Sequence, residues 1–496
     1  MKNKRRSALM ALCALLWGFT LTTCTNPLRP VIEDYVAAHR QVTGDGVIYV
    51  CTTSGSDANP GLPDKPKRTI QSAIAFMKQN GLRGEVRVAE GNYLLPEGVS
   101  ITVPEGVSLS GGYARGTWVR DVDTYHSTIS KDPQTSVITM QFEPGVTRAT
   151  VVDGFVIDAG VGVDTFAIVI NNAAPTIRNN SISGYGAIEE SWGIMISEGS
   201  PLIEWNMIYG GAGAVKSTGI AITTGSSAVV RNNAIAPGVR SNTIGIGIQV
   251  VGSSPRIERN IIISEDTSGS QTIGLWINGG SPEVYANIIE GGGGSQYSLG
   301  ILVGSTGSPR IVSNAIHGGS SSGNFSRGIE TGGGATPVIR NNTISAGTHP
   351  SVRHCVVQFA AGSSIDNNLL FSHDGGGTGI YEHASSTRPV TVRNNAFVDV
   401  QHLYVATGLN ATTASQMQTY LSGAGVTATA NVNPAQAITT ILVDVANRMY
   451  DGWALAAGAP ASISGGGLTI AGEPYPFDRR GWSRTVPWSI GAYERD

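Results

Sequence analysis

An asparagine recurs through the middle of the chain at a nearly constant interval. Aligned on this residue, the repeats place it at nine positions: Asn180, Asn206, Asn233, Asn260, Asn287, Asn314, Asn342, Asn368 and Asn395. Neighbouring asparagines are 26 to 28 residues apart, and the residues three before and two after each one are apolar in all nine repeats. A fixed period of this kind is typical of a solenoid, in which each repeat buries its apolar side against the next.

The length and composition of the repeat select the class of solenoid. A two-helix repeat needs about 33 residues or more, whereas these repeats carry short, alternating, β-branched runs separated by Gly- and Ser-rich turns, as strands do. Parallel connections are right-handed. We therefore predict an all-β fold: a single right-handed parallel β-helix of about ten coils, stacked about 4.8 Å apart.

The recurring asparagines have a structural interpretation. Asn tolerates the left-handed backbone conformation that a sharp turn requires, so each is predicted to adopt it at a corner of its coil. Amide side chains stacked in register hydrogen-bond along the axis. We therefore interpret the nine residues as a structural ladder rather than as a site.

Charged side chains recur two residues before the asparagines. Their signs alternate through Arg178, Glu204, Arg231 and Glu258, and again through Arg340, Asp366 and Arg393. Neighbouring coils would bring opposite charges side by side, which predicts exposed ion pairs of about 0.2–1 kcal/mol each. These carboxylates are therefore not predicted to be catalytic acids.

Composition excludes several classes of protein. The chain has 496 residues, 41% of them hydrophobic, which rules out intrinsic disorder. Its net charge of −3 gives no basic field, so no nucleic-acid partner is predicted. The length alone would suggest about three domains, but the repeat predicts one elongated domain.

The N-terminus has the pattern of an export signal. Basic residues at positions 2 to 6 precede the apolar stretch Ala8 to Leu21, which is too short to cross a bilayer comfortably. The sequence Leu21-Thr22-Thr23-Cys24 resembles the bacterial lipobox, although Thr23 stands where Gly or Ala is usual. The resemblance implies cleavage before Cys24 and acylation of its sulfur, which would anchor the protein to a lipid bilayer at the cell envelope. The alternative is an ordinary cleaved signal and a secreted protein.

The sequence divides into five segments. Residues 1–23 are predicted to be the signal peptide, 24–46 a tether, 47–150 an N-terminal cap with the first coils, 151–400 the β-helix repeats, and 401–496 the C-terminal coils and cap. Within the N-terminal cap, Thr69 to Asn80 is predicted to be a helix, with Ile70, Ala73, Ile74 and Met77 on one face and Gly81 after its end.

A family resemblance covers nearly the whole mature chain. It rests on Tyr49 to Gly61, Thr69 to Ile74, Gly111 to Tyr113, Asp478 to Gly481 and Ser489 to Glu494. These segments are similar to those of secreted bacterial pectin-lyase-like β-helix proteins that begin with an uncharacterised N-terminal domain. The resemblance implies fold and export but not one activity, because this superfamily includes lyases, hydrolases and binding proteins.

A polysaccharide lyase would need a base beside Ca²⁺ held by several carboxylates. Between residues 150 and 400 the only lysine is Lys216, and no cluster of aspartates accompanies it. Cys51 and Cys355 show no metal-binding spacing and are predicted to be small buried residues. The sequence therefore predicts no cofactor. The one alternative is Ca²⁺ at Asp57 and Asn59, in a loop that would otherwise hydrogen-bond its own backbone.

A glycoside hydrolase would need two carboxylates roughly 5–10 Å apart. Asp374 and Asp399 follow successive ladder asparagines, so adjacent coils would bring them near each other, with His373 beside them. His349 and His402 are predicted to lie at the same edge, and Glu382 and His383 lie on the next segment. The alternative interpretation of this edge is a solvated polar rim.

A binding role is the third hypothesis. A stripe of residues follows a recurring glycine by two positions: Met195, Trp276, Leu302, Glu330 and Tyr381. By strand alternation it faces away from the core, as a ligand-binding face or as a surface covered by another segment. We expect a non-enzymatic, surface-exposed lipoprotein that binds a polysaccharide or another surface protein, with a carbohydrate-active lyase or hydrolase as the alternative.

Overall fold

The strands of the chain stack into a parallel β-solenoid. The computed structural model describes residues 46–131, 136–238, 244–264, 270–304, 306–444, 453–467, 478–479 and 489–493. Three long sheets of 14, 13 and 12 strands run along the solenoid, which is the predicted all-β architecture and slightly longer than ten coils. The predicted signal peptide and residues 24–45 of the predicted tether, including Cys24, lie outside the described residues, whereas Gly46 begins the first strand.

We call the three long sheets A, B and C. Sheet A contains, in spatial order, Gly46–Val50, Gly84–Ala89, Val107–Tyr113, Val151–Asp153, Thr176–Arg178, Leu202–Glu204, Val229–Arg231, Arg256–Glu258, Glu283–Tyr285, Arg310–Val312, Val338–Arg340, Ser364–Asp366, Thr391–Arg393 and Thr427–Thr429. Sheet B contains Ile101–Val103, Ser136–Phe142, Asp164–Asn171, Glu190–Ser197, Lys216–Thr223, Ile244–Val251, Gln271–Asn278, Tyr297–Val303, Phe325–Thr331, Arg353–Gln358, Thr378–Glu382, His402–Ala406 and Leu409–Ala411.

Sheet C contains Gly91–Leu95, Ser127–Lys131, Phe155–Asp158, Ser181–Ser183, Met207–Tyr209, Ala234–Ala236, Ile261–Ile263, Ile288–Glu290, Ala315–His317, Thr343–Ser345, Leu369–Phe371 and Ala396–Val398. Two small sheets lie at a corner, formed by Val161–Gly162, Gly186–Ala187 and Ala212–Gly213, and by Gly293–Gly294 and Ser320–Ser321. Strands pair in parallel along the sheets, and the solenoid ends with an antiparallel pair in which Val405 lies opposite Asn410.

Each coil contributes inward side chains from all three sheets. Ile203 of sheet A, Ile208 of sheet C and Ile220 of sheet B represent the columns, and all are at most 1% exposed. These columns merge into one continuous core along the described coils. One coil could not bury this apolar surface alone, so stacking is what makes each coil stable.

The ladder asparagines lie in a single file at the corner between sheets A and C. The Nδ2 of each donates to the Oδ1 of the next: Asn233 to Asn260 at 3.0 Å and Asn260 to Asn287 at 3.0 Å are examples. Asn260 Nδ2 also donates to the Val230 carbonyl at 2.9 Å. The file extends to Asn431, which accepts from Asn395 at 3.1 Å.

The left-handed residue of this corner is not the ladder asparagine, as predicted, but the residue before it. Trp205, Arg259, Ala286 and Ser313 occupy this position with φ between 55° and 58°. The backbone reverses there, and the ladder amide, one residue later, points inward where its hydrogen bonds satisfy the turn. A buried amide with all partners in place explains the recurring Asn, because each unmet polar group would cost about 1–3 kcal/mol.

The predicted charge pairs are partly different in the structure. Arg231 binds Glu204 at 2.7 Å, as expected from neighbouring coils, but Arg178 binds Asp153 at 2.9 Å. Asp366 forms an ion pair with Arg393 at 2.9 Å. The prediction that these ion pairs are exposed was wrong for the carboxylates, because the side chains of Glu204 and Asp366 are only 1% and 0% exposed. The arginines lie over these carboxylates and shield them from water.

A helix closes each end of the core. Helix α1 (Ile70–Gln79) buries Ile70, Ala73, Ile74 and Met77, which confirms the predicted face. Helix α2 (Ala414–Gly423) inserts Met417 and Leu421 at the other end. The two helices cover the last strands at each end, so water does not reach the core through the unpaired strand edges.

The later C-terminal segments lie against the outward side of sheet C. They include helices α3 (Ile438–Ile441) and α4 (Ala461–Ser464), and a short 3₁₀ helix, Ser385–Thr387, precedes them along the chain. Trp453 and Ile490 pack with Leu369 of sheet C in a cluster separate from the core. The Ala492 N–H donates to Thr343 Oγ1 at 3.0 Å. This part of the chain therefore covers a side of the solenoid rather than only its end.

Candidate saccharide-binding face

A bend in each strand of sheet B creates two outward columns. In one coil both Ala167 and the next residue, Ile168, belong to the core, so the chain cannot alternate there and the residues on either side, Phe166 and Val169, face outward. Most later coils carry glycine at the Ala167 position, and Cys355 takes it in one of them. A Cβ on Gly300 would lie 2.6 Å from the Gly328 oxygen and 2.7 Å from Ile316 Cγ2. The recurring glycine therefore allows sheets B and C to approach each other closely.

The stripe predicted from the sequence is one of these columns. Register pairing joins Met195, Ala221, Gln249, Trp276, Leu302, Glu330, Val357 and Tyr381 from strand to strand. The five predicted members are all partly exposed. The second column contains Phe166, Trp192, Thr218, Ile246, Ile273, Leu299, Arg327, His354 and Thr378. We call the two columns together the outward face of sheet B.

Aromatic rings at this face stack along the solenoid axis. The ring centroids of Phe166 and Trp192 are 4.3 Å apart, and the ring planes differ by 3°. Lys216 Nζ lies 5.3 Å from the centroid of the Trp192 ring. Tyr297 and Phe325 also stack, with ring centroids 5.2 Å apart and an angle of 8° between the ring planes. Their faces are largely covered by one another, so these stacks stabilise neighbouring strands.

Trp276 differs from the stacked rings. It is partly exposed, and no ring or cation of the described residues lies against it. Gln249 and Leu302 are its neighbours in the column. Trp276 is therefore an aromatic side chain available to a ligand.

A polar cluster follows two coils further on. Arg327 forms an ion pair with Glu330 across the bend of their strand, with the two side chains 12% and 19% exposed. His354 is the register neighbour of Arg327 and lies 5.1 Å from the Tyr381 ring. Three successive strands thus place a cation, a carboxylate, an imidazole and a phenol together.

The imidazole of this cluster is uncharged at ordinary pH. Burial, helped by the positive charge of Arg327, lowers the pKa of His354 to about 3. Its Nδ1 is buried and has no hydrogen-bond partner. A neutral imidazole carries no proton that it could donate as an imidazolium, so His354 is unsuited to acid catalysis at neutral pH.

Carboxylate spacing on this face does not match glycoside hydrolysis. Glu330 is the carboxylate of the two columns; Asp374, beside the face, is bound to Arg353, and Glu190, at the start of an earlier strand, is five strands away from Glu330. At about 4.8 Å per strand that is about 24 Å, against the roughly 5–10 Å that hydrolysis requires.

The structure gives the sequence-predicted acids Asp374 and Asp399 different partners. Asp374 is 60% exposed and pairs with Arg353 at 2.7 Å. Although partial desolvation opposes the shift, the Gly376 N–H and the Arg353 charge lower the pKa of Asp374. Asp399 Oδ2 accepts from the Ile438 N–H at 2.7 Å. A general acid would need a raised pKa, whereas the pKa of Asp374 is lowered, and the Asp399 carboxylate is bound to a backbone N–H.

The predicted histidines do not gather around these acids. His373 packs against Phe371 and Trp453, with ring centroids 5.2 and 6.4 Å away. His349 is buried, and its Nδ1 accepts from the Val352 N–H at 2.7 Å. His402 continues the second outward column of sheet B.

Glu382 and His383 lie in different environments. The Glu382 carboxylate is buried between Arg388, at 3.0 Å, and the Tyr404 hydroxyl, at 2.5 Å. Burial, together with Glu382, raises the pKa of Tyr404. His383 is exposed, with Phe359 4.6 Å from its ring. The buried group joins the last coils to helix α2, since Arg388 also donates to the Tyr420 hydroxyl at 2.9 Å.

The loop predicted as the alternative Ca²⁺ site binds groups of the protein itself. Asp57 Oδ1 accepts from the backbone N–H groups of Arg68 and Thr69, at 3.0 and 2.9 Å, before helix α1. Asn59 Nδ2 donates to the Pro66 carbonyl at 2.9 Å. The ammonium of Lys67 lies 2.9 Å from the Asn59 carbonyl, where it already supplies a positive charge.

In the part of the chain that the structure describes, no three His, Cys, Asp or Glu side chains form a group that could hold a metal ion. Cys51 and Cys355 are buried and form no disulfide. Within the same described ranges, no helix has the length and hydrophobicity needed to cross a membrane.

Sequence reasoning found half of the polar cluster. Glu330 and Tyr381 belong to the stripe that follows the recurring glycine, whereas Arg327 and His354 were missed. The signal was present, because each precedes its glycine-column residue, Gly328 or Cys355, by one position. Placing that position outward requires the bend, which only the structure shows.

Two family models match the chain. Residues 53–263 match a family described as a protein of unknown function, DUF1565. Residues 239–397 and 274–432 match a family described as a right-handed beta helix region. The second match supports the predicted handedness of the coils. No curated protein matches the sequence.

Solved structures share the fold at low sequence identity. XylC in complex with xylose is 11% identical, with a TM-score of 0.52, and the match covers 90% of this chain and 98% of that chain. The pectate lyase Pel9A is 14% identical, with a TM-score of 0.45 and coverages of 91% and 96%. The A-module of the mannuronan C-5 epimerase AlgE6 from Azotobacter vinelandii is 16% identical, with a TM-score of 0.46 and coverages of 74% and 95%. The chain is a right-handed parallel β-helix, and it shares this fold with XylC.

Proposed function

We propose that this protein is an exported, lipid-anchored β-helical solenoid that binds a polysaccharide along the outward face of sheet B without cleaving it. The observation that carries the proposal is the partly exposed column containing Trp276, Glu330 and Tyr381, beside the uncharged His354. The proposal concerns a binding protein of the cell envelope, and the alternative remains a carbohydrate-active lyase or hydrolase.

The chemistry of the face supports a saccharide ligand. A sugar ring presents an apolar C–H surface and several hydroxyl groups. The Trp276 indole supplies a flat apolar surface, and the phenol of Tyr381 and the imidazole of His354 supply hydrogen bonds. A polysaccharide also repeats along its length, as the strands of sheet B do.

Further support comes from the fold and from the charges. XylC, which shares the fold, was solved with xylose, which favours a saccharide as the class of ligand. Against hydrolysis, Glu330 lacks a second carboxylate at catalytic distance on this face, and His354 has too low a pKa to donate a proton as an imidazolium at neutral pH.

The test is a panel of purified polysaccharides assayed for binding and for product release. We expect saturable binding without release of sugars, weakened about tenfold by Trp276→Ala. Trp205→Ala is the matched control. Trp205 is also partly exposed but lies at the corner of sheets A and C, where another coil already has Ala286.

Three results would count against the proposal. Equal losses in both tryptophan variants would place the ligand elsewhere, and binding to none of the polymers would remove the saccharide hypothesis. Release of sugars that Asp374→Asn abolished would favour the enzyme.

Localisation is tested separately through Cys24. If Cys24 is acylated, Cys24→Ala should release the protein from the membrane fraction and abolish incorporation of a labelled fatty acid. Membrane retention unchanged by the substitution would contradict the anchor and leave the saccharide proposal intact.

A further inference from the structure

Arg327, the cation of the outward face of sheet B, is paired with a carboxylate, and so are Lys216 and Arg353 beside that face. Lys216 binds Glu190 at 2.8 Å, and Arg327 binds Glu330. Beside the face, Arg353 binds Asp374 at 2.7 Å. The described part of this face therefore offers no unpaired cation to an anionic ligand.

Packing holds the central pair in place. The Arg327 guanidinium lies 3.6 Å from the centre of the Phe325 ring and 5.7 Å from that of Phe359. Only 12% of the Arg327 side chain is exposed. A guanidinium held between two rings and bound to Glu330 cannot turn toward a ligand without giving up these contacts.

Glu330 also affects an anionic ligand directly. It stands in the same outward column as Trp276 and Tyr381, two strands after Trp276. A polymer lying on that column passes within about 5–10 Å of the carboxylate, and like charges at that distance repel each other. A hydroxyl group, in contrast, donates a hydrogen bond to a carboxylate.

We propose that this face is selective for neutral polysaccharides and that Glu330 is the residue that determines the selectivity, by neutralising Arg327 and repelling carboxylate-bearing polymers. The ligand class is a polymer of neutral sugars, rich in hydroxyl groups and without carboxylate, sulfate or phosphate. This inference rests on the proposed saccharide binding and adds the charge of the ligand.

The experiment compares polymers that differ only in charge. A uronate polymer and its fully methyl-esterified form share a backbone, and binding of each is measured at low and at high salt, with a neutral xylan alongside. For the unmodified protein, we expect the neutral polymers to bind with an affinity that salt hardly changes. The uronate form should bind at least about tenfold more weakly.

Two variants test the residue itself. Glu330→Gln keeps the shape and leaves Arg327 unpaired, so affinity for the uronate polymer should rise about tenfold relative to the affinity for xylan and should become sensitive to salt. The double variant Glu330→Gln, Arg327→Gln removes the cation as well, so the increase in affinity for the uronate polymer should disappear. Thermal melting of each variant verifies that it is folded.

The outcomes separate this inference from the proposed function. If no polymer binds, the saccharide proposal fails. If polymers bind but the unmodified protein prefers the uronate form, or if Glu330→Gln changes nothing, saccharide binding stands and the charge selectivity is overturned.

Discussion

The two sides of sheet B follow opposite rules. On the inward side, neighbouring strands carry nearly the same residue, as in Ile220, Ile248 and Leu275, all fully buried. On the outward side, the same strands carry Ala221, Gln249 and Trp276. The backbone and the register are shared, so the contrast comes from what each side must contact.

The inward side must match the coil above and the coil below, and one odd residue would leave a cavity or a clash. On the outward side, partly exposed positions such as Gln249 and Trp276 do not have to match the neighbouring coils, whereas Ile246, Ile273 and Leu299 of the same side are at most 2% exposed and lie under other parts of the chain. Uniform residues therefore mark what stabilises the solenoid, and the partly exposed varied residues are the ones to which we assign the proposed binding role. Glu330, His354 and Tyr381 lie where the outward side varies most in chemistry.

Breaking the ladder should have the largest effect. Asn260 is fully buried, and its side chain accepts from the Asn233 N–H and donates to the Val230 carbonyl. Asn260→Ala should lower the free energy of unfolding by about 3 kcal/mol or more, because at least two buried groups lose their partners. Urea denaturation measures the loss. Asn171→Ala, at an exposed position, should change it by less than about 0.5 kcal/mol.

Filling the recurring glycine position should have the next largest effect. Gly300→Ala would place a methyl group against the Gly328 carbonyl and the Ile316 side chain, which should cost about 1–3 kcal/mol of stability. Gly423→Ala is the control, because a Cβ there meets nothing within 4 Å and the residue ends helix α2. If the two variants melt alike, close approach of the sheets is not the reason for the glycines.

Stability should decrease at acid pH because His354 of the polar cluster is buried in its uncharged form. The pKa of His354 in the folded state, about 3, lies below the ordinary 6.5, so as pH falls through this window the unfolded chain takes up the proton first. Stability therefore decreases from pH 6.5 toward 3, by up to about 1.4 kcal/mol per pH unit from this residue. The groups facing it are Arg327, Thr378 and Tyr381.

The measurement compares urea midpoints of the unmodified protein and His354→Gln at several pH values. The variant should lose less stability on acidification, because glutamine does not titrate. Parallel pH curves for the two proteins would contradict the assignment of a depressed pKa to His354.

The smallest effect concerns ligand binding near neutral pH. Since His354 stays uncharged there, saccharide affinity should change by less than about twofold between pH 5 and pH 8. Isothermal titration at several pH values measures this, and a sharp change in affinity near pH 6.5 would mean that a titrating histidine contacts the ligand.

The sequence was most informative where residues recur. The ladder positions, the apolar columns and the buried face of helix α1 follow from periodicity alone. Helix α2 was missed, although Thr413 and Gln416 form a capping box before it. Its apolar residues, Met417 and Leu421, are too few to produce a clear helical period.

Positions that occur once were harder to interpret. Asp374 and Asp399 follow equivalent asparagines, so spacing suggested that they would meet. In the structure Asp374 turns to Arg353, and Asp399 binds the backbone at the start of helix α3. Their partners come from another strand and from the C-terminal segment, and repeat spacing carries no information about either.

By itself, the sequence determined that this chain winds into a parallel β-helix, because every coil repeats the same burial and hydrogen-bonding pattern and local periodicity records it. Only the tertiary structure decided which residues face outward together and which charges are paired. The bend at the glycine column brings Arg327, Glu330, His354 and Tyr381 to one surface from three different coils, and contacts between coils arise only once the coils have stacked.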